Sequence, residues 1–342
     1  MLKNFWYIAG QTRDITRVPK KVILLGKELI AYRDSRGQPL VFDNRCPHRG
    51  AELTQGQIEG DCVRCPYHGW QFNSHGDCVE IPSNTPRDGI PPLARLRKYS
   101  VQERYGWLWV YLADLADDQR PPLPEYPLFD ADGWRAVHGT FYWNNHYSQV
   151  MDNAVDMAHT AFVHKKTFAN PAMVPDYRIV KNAWSAAATI PHEPRPPKGI
   201  WKLFHGQRKT LTVTLEFHMP NIVCMTTDAG AIRFCLIVVH TPVNEHETIS
   251  HWLMIRNFLR IRPGDWDCAY RVQKILREDK AILESMGSVA VPLSLSSQPH
   301  ARADQLALAY RRYRKRFVDM GWKMDEPEAS RKESRLPKKA SR

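Results

Sequence analysis

Long apolar runs are missing from this 342-residue chain. None approaches the roughly 20 consecutive apolar residues that a membrane span needs. The longest candidate, Phe234 to Val239, is strand-sized. The opening residues, MLKNFWYIAGQTRDITR, hold no extended apolar core with a small-residue cleavage site, so a cytoplasmic location without membrane attachment is expected. Cysteine is sparse and odd in number, seven in all, which argues against a disulfide framework in a chain this long. No Gly-rich dinucleotide fingerprint follows a strand-like run, and no flavin motif is visible. Disorder is excluded by composition, at 43% hydrophobic and 25% charged.

Charge is present but uneven. Residues 311–342 carry twelve Lys or Arg against five Asp or Glu, a net +7 of the chain's +12. The run RRYRKR (Arg311 to Arg316) and the tail RKESRLPKKASR supply most of it. Nucleic-acid binding would need a basic patch joined to a recognition motif, and none is found. The bland reading is a solvated helix face and a frayed tail. The functional one is a docking surface for an acidic protein partner.

The length suits two domains. Lys21 to Leu25, Leu29 to Tyr32, Leu40 to Phe42 and the aromatic run Gly106 to Leu112 predict short strands. The polar, proline-rich stretch 117–124 marks the boundary. That divides the chain into residues 1–118, residues 119–320, and a basic tail at 321–342. In the second part, residues 145–164 have helical periodicity, 211–217 alternate as a half-buried strand, and 232–240 and 248–258 predict two more strands of an antiparallel meander. Asp265 to Met286 predicts a long helix with Val272, Ile275, Leu276, Ile282 and Leu283 inward.

Four cysteines cluster between residues 46 and 78. Two loops stand out there, RCPHRG at 45–50 and CPYHGW at 65–70. They give Cys46-x-His48 and Cys65-x2-His68. Thiolates with imidazoles suit zinc or an iron–sulfur cluster. Cys62-x2-Cys65 encourages zinc; the tight Cys-x-His and the second loop argue against it. Further on, residues 152–164 read DNAVDMAHTAFVH. On a straight helix His159 and His164 would stand about 140° apart, so both reach one ion only if the helix ends or bulges between them. Asp156 lies three residues before His159 and shares its face. A carboxylate there can fix the imidazole's tautomer.

The two loops resemble the Rieske [2Fe–2S] motif, in which two Cys hold one iron and two His the other. Ala51 and Tyr67 stand where respiratory Rieske proteins carry an extra disulfide, which implies a lower-potential, soluble type. The whole pattern resembles the large subunits of Rieske non-haem iron oxygenases over residues 3–320. It looks closest to vanillate and dicamba O-demethylases, methylxanthine N-demethylases and saxitoxin-pathway hydroxylases. The resemblance implies an α+β chain: an all-β cluster domain, then a helix-grip catalytic domain with an antiparallel sheet. It implies Cys46, His48, Cys65 and His68 as cluster ligands. It implies His159, His164 and a third carboxylate as ligands of a mononuclear Fe(II). Asp279 is the choice for that carboxylate, with Glu278 and Glu284 as competitors. Asp156 would bridge His159 to His68 of the next subunit in a head-to-tail homotrimer, and Asn153 would lie near the iron. O2 would be the co-substrate. NAD(P)H would enter indirectly, through a separate flavin- or ferredoxin-type reductase.

The reaction implied is monooxygenation, as hydroxylation or oxidative demethylation, of a small cyclic or aromatic molecule. A cis-dihydroxylating dioxygenase, a bare electron carrier and a zinc-stabilised interaction protein are the alternatives. Met157, Phe162, Phe217, Met225, Phe234 and Trp252 are candidates to face the pocket, and each is more often core. Arg233 and Arg256 do not identify themselves as a clamp for an anionic substrate.

Overall fold

The structure is a computed structural model describing residues 1–165, 167, 177–192 and 211–324. The first part contains β1 (Trp6–Gln11), β2 (Lys20–Leu24), β3 (Lys27–Arg33), β4 (Pro39–Asp43), β5 (Gln57–Glu59), β6 (Cys62–Arg64), β7 (Gln71–Phe72), β8 (Cys78–Glu80), β9 (Ser100–Arg104) and β10 (Trp107–Tyr111). They form three small sheets, β1-β10-β9, β2-β3-β4 and β5-β6-β7-β8. The four expected strands are β2, β3, β4 and β10. The sheet β5–β8 was not expected, because strands of two or three residues are too short to show an alternation.

The second part is one antiparallel sheet crossed by helices. Its strands are β11 (Arg135–Trp143), β12 (Ile179–Lys181), β13 (Ser185–His192), β14 (Leu211–His218), β15 (Ile222–Ala229), β16 (Ile232–Pro242) and β17 (Thr248–Arg256). The order β11-β17-β16-β15-β14-β13-β12 puts the last strand beside the first. The helices are α1 (Tyr147–Val155), α2 (Thr160–Val163), α3 (Arg262–Ser285) and α4 (Gln305–Asp319).

Alternation along β16 explains the layering. Leu236 and Val238 meet Trp252 of β17 and Val272, Leu276 and Leu283 of α3. Cys235, Ile237 and Val239 face the other way, into a core shared with Trp6, Trp107 and Trp109 of the first part. Trp252 comes so close to β11 that a Cβ on Gly139 would lie 2.1 Å from its ring. Only glycine leaves room for the indole there.

The domains are not joined by a loose linker. Leu123 and Tyr126 are buried in the shared core, and Trp6 Nε1 donates to the Pro121 carbonyl at 3.1 Å. Residues 321–324, expected to open the tail, are held on the fold. Trp322 packs against Phe5, Trp184 and Phe317, and Lys3 N–H donates to its carbonyl at 2.7 Å. Residues 325–342 lie outside the described residues.

The basic run on α4 divides by helical phase. Arg311 is buried; its Nε and Nη2 reach Asp152 at 2.8 and 2.7 Å. Arg314 is buried too and donates to the Val291 carbonyl at 3.1 Å. Only Arg312, Lys315 and Arg316 face outward, so the run is not one solvated face. Arg311→Ala is expected to lower the unfolding free energy by about 2 kcal/mol, because Asp152 loses a bidentate partner inside the fold. Arg316→Ala should stay within about 0.5 kcal/mol. Urea unfolding checks both, and equal midpoints would mean that Arg311 carries no structural load.

Candidate metal centres

The residues 46–51 and 65–70 fold as matched loops. Cys46 N–H donates to the Ala51 carbonyl at 2.9 Å and Gly50 N–H to the Cys46 carbonyl at 2.8 Å. In the second loop Cys65 N–H donates to Trp70 at 2.8 Å and Gly69 N–H to Cys65 at 3.1 Å. Gly50 and Gly69 take φ of +75° and +71°, a left-handed turn that glycine makes at no steric cost. Each loop thus presents one thiol and one imidazole.

Cys46 and Cys65 are buried with their thiols together. Burial is the first cause that pushes the Cys46 thiol up to about 11, so as a thiolate it needs metal charge beside it. The His48 and His68 rings lie 4.6 Å apart, and His48 stacks on Trp70 at 4.4 Å. His48 Nδ1 is buried without a hydrogen-bond partner. Among the described residues the loop donors do not close within 4.8 Å as a three-ligand group. Two thiols together beside two paired imidazoles are the donor set of a cluster that takes Cys on one iron and His on the other. Cys62 is half-buried and Cys78 is turned to the Glu80 carbonyl. His68 is exposed on a cleft of about 470 Å³ that His48, Trp70, Arg87 and Asp88 also line.

The second centre begins where α1 stops. Its C-terminal residue gives way to an extended Asp156 with φ −81° and ψ 126°. Asp156 Oδ1 accepts from Ala158 N–H at 2.7 Å, a side-chain turn typical of aspartate. The chain re-enters a helix at α2, flanked by His159 and His164. The expected helix over 145–164 is therefore two helices with a break at 156–158; His159 and His164 flank the single turn of α2, which stops at a non-helical His164, and their imidazoles converge.

Asp279 arrives from α3. Around it the buried positions are Val272, Leu276, Asp279 and Leu283, one stripe at spacings of four, three and four. Asp279 occupies a position in the apolar stripe itself. Ile282, expected inward, is 43% exposed. Asp279 Oδ1 lies 3.4 Å from His159 Nε2 and 3.2 Å from His164 Nε2. These three atoms form a group within 4.8 Å. Neither contact has hydrogen-bond geometry, and Asp279 Oδ1 is buried with no hydrogen bond. Three lone-pair donors thus meet around a common point without bonding to one another, as ligands of one ion do.

The surrounding charges support that fit. Burial lowers the His159 pKa, but the Asp156 and Asp279 carboxylates outweigh it and lift it to about 9. Burial raises Asp279, yet His159 and His164 hold it at about 2. Burial likewise opposes Asp156, which His159 and the Ala158 N–H hold below its usual value. Carboxylates buried together with imidazoles demand positive charge, and one divalent ion supplies it.

The competitors for the third ligand separate clearly. Glu284 is exposed and holds Asn144 Nδ2 at 2.8 Å. Glu278 approaches His164 from the other side, with Oε2 2.8 Å from Nδ1, and accepts from the Thr167 hydroxyl at 2.5 Å. Sequence reasoning treated Glu278 only as a rival ligand; its adjacency to Asp279 and its helical phase were the available signal. Asp156 Oδ2 lies 3.7 Å from His159 Nδ1. Asn153 contributes its carbonyl, which accepts from Asp156 N–H at 3.1 Å; among the described residues no hydrogen bond links its side chain to the three donors. No ion pair within the chain joins Asp156 to His48 or His68 among the described residues.

The pocket candidates sort as follows. Met157, Phe217 and Trp252 are buried core, and Phe217 packs on Tyr310. Met225 and Phe234 are half-buried. Phe162 is 78% exposed. Arg256 is 0% exposed and paired with Asp265 at 2.7 Å, and Arg233 pairs with Asp228 at 3.0 Å near the surface.

The chain is similar to known proteins along most of its length. The Rieske [2Fe-2S] domain matches residues 5–100, and the vanillate O-demethylase oxygenase C-terminal domain matches residues 143–320. The toluene-4-sulfonate monooxygenase system iron-sulfur subunit of Comamonas testosteroni is 36% identical over 83% of this chain and 87% of its own. The structure of a Pseudomonas putida NdmA mutant with caffeine superposes with a TM-score of 0.79 at 22% identity, covering 93% of this chain and 91% of that one. Dicamba monooxygenase bound to dicamba gives 0.78 at 19% identity, over 94% and 98%. The chain belongs to the Rieske-type oxygenase components and carries, behind its Rieske domain, the C-terminal domain of the vanillate O-demethylase oxygenase family.

Proposed function

We propose that this chain is a terminal monooxygenase acting on a small cyclic or aromatic substrate, by hydroxylation or oxidative demethylation. The observation that carries it is the convergence of His159 Nε2, His164 Nε2 and Asp279 Oδ1 behind a Rieske domain. In this reading Cys46, His48, Cys65 and His68 hold the [2Fe–2S] cluster in residues 1–118. His159, His164 and Asp279 hold Fe(II) in residues 119–320. When bound, these groups supply single electrons and a ferrous ion with open positions for O2, the co-substrate.

The chain's own residues do the positioning. Glu278 accepts the Nδ1 proton of His164 and leaves Nε2 as the lone-pair donor. Asp156 faces His159 Nδ1 in the same role. The exposure of His68 suits contact between copies, with Asp156 of one chain reaching His68 of the partner subunit in a head-to-tail trimer. Electrons come from NAD(P)H through a separate reductase, since the sequence has no dinucleotide fingerprint. Arg312, Lys315 and Arg316 offer that partner cationic groups, and the reading places the protein in the cytoplasm.

The test is a single turnover. The protein is reduced without oxygen, mixed with methylated aromatics, purines and cyclic alkaloids, and exposed to O2. Formaldehyde with a demethylated product, or a product one oxygen heavier, supports the reading. A cis-diol would replace it with a dioxygenase, and an iron content equal to the cluster alone would leave an electron carrier.

Glu278 has its own consequence. Glu278→Gln is expected to weaken Fe(II) binding about 10-fold and Glu278→Ala about 100-fold, with the cluster spectrum unchanged. Titrating Fe(II) into cluster-loaded protein reads both. Wild-type affinity in Glu278→Ala would remove Glu278 from the site.

A further inference from the structure

On the face of the large sheet that α3 crosses, strands β13 to β16 present apolar side chains such as Ala188, Leu215, Met225 and Val238. His240 of β16 shares that face with Leu236 and Val238, and it is buried. Its Nδ1 lies 2.6 Å from the hydroxyl of Ser250, the residue directly opposite on β17. The same hydroxyl accepts Trp143 Nε1–H at 2.6 Å.

This chain of bonds fixes a proton. A serine hydroxyl has one hydrogen to give. If His240 Nδ1 donated, Ser250 would accept twice and its own hydrogen would have no acceptor among the described residues. If Ser250 donates to Nδ1, Trp143 Nε1–H, the Ser250 hydroxyl and His240 Nδ1 are all satisfied, and the ring proton sits on Nε2. Nε2 is turned away from Ser250, is buried, and has no partner. Among the described residues Asp279 is the charge that acts on the ring. Burial drives the His240 pKa down to about 3, so the ring stays neutral at working pH. An unpaired buried donor beside a candidate metal centre is costly, and a bound acceptor removes that cost.

We propose that His240 Nε2–H is the polar anchor of the substrate site, donating a hydrogen bond to a neutral oxygen acceptor, a ring or side-chain carbonyl or an ether, on the molecule to be oxidised. The acceptor is neutral because no lysine or arginine stands on this face of β13–β16 among the described residues, and Arg256 on β17 is committed to Asp265. An anion there would be desolvated next to Asp279 without a counter-charge. The inference rests on the monooxygenase reading above and adds a substrate class to it.

The test uses the holoenzyme and matched probes: acetophenone against α-methylstyrene, and 1-tetralone against 1-methylenetetralin, in which C=O becomes C=CH2. Benzoate serves as the anionic arm. Calorimetry should show each ketone binding about 10-fold tighter than its isostere, and tighter than benzoate. His240→Phe should remove the preference while the isosteres bind as before. Ser250→Ala, which frees Nδ1 to take the proton, should weaken it without touching His240. Equal affinity within each pair, no binding of any ketone, preference for benzoate, or an undiminished preference in both variants would each overturn the proposal. Iron content and O2-driven oxidation of the reduced cluster are read on the same wild-type sample. If they are intact, only the anchor falls; if they fail, the monooxygenase reading falls with it.

Discussion

His159→Ala is expected to abolish turnover while leaving the red-brown cluster in place. The substitution removes one of the three donor atoms that meet near Asp279, and with it the affinity for the mononuclear ion. Iron content should fall by about one atom per chain. The cluster should not notice. Its loops pack in their own core with Phe42, Leu53, Val63 and Phe72, apart from the core around α1 and α3. Iron analysis, the visible spectrum and a single-turnover product assay read the three claims separately. Turnover at the wild-type level with full iron would remove His159 from the centre. Loss of the cluster spectrum as well would mean that the two parts fold as one unit.

Asp156→Asn should separate metal binding from electron transfer. Asparagine has nearly the same volume, and its Oδ1 can still accept from Ala158 N–H, so the turn that ends α1 survives. What disappears is the negative charge 3.7 Å from His159 Nδ1. Both metals are expected to stay. Reoxidation of the reduced cluster in the presence of substrate and O2 is expected to slow by about 10–100-fold, read by stopped-flow absorbance. A single-chain origin of the effect can be told from a bridging one by mixing subunits. If Asp156 reaches His68 of the partner subunit, a chain carrying Asp156→Asn and a chain carrying His68→Ala restore one working pair when co-assembled. Wild-type rates in Asp156→Asn would end the bridging role.

The sequence alone carried the chemistry of both sites. Cys46-x-His48 and Cys65-x2-His68 are local patterns, and the glycines that shape their loops sit inside them. The run from Asp156 to His164 was legible for the same reason, since its candidate ligands lie within one short segment. Strand and helix periodicity placed the meander and α3, because burial on one face repeats at fixed spacing. The resemblance then supplied what spacing does not: the assignment to an oxygenase and the expectation of a third carboxylate.

Tertiary structure decided what depends on direction or distance. It selected Asp279, because only the packing of α3 shows which of three neighbouring carboxylates lies on the buried stripe. It moved Glu278 from rival ligand to holder of His164. It split Arg311 and Arg314 from their exposed neighbours, and buried Arg256 against Asp265. It exposed the unsatisfied nitrogen of His240, whose ring is held through Nδ1 by Ser250, which in turn accepts from Trp143, residues 10 and 97 positions away in the chain. A sequence records which groups are available. Which of them are desolvated, paired or left unpaired is settled when distant segments pack, because burial and hydrogen bonding act across space and not along the chain.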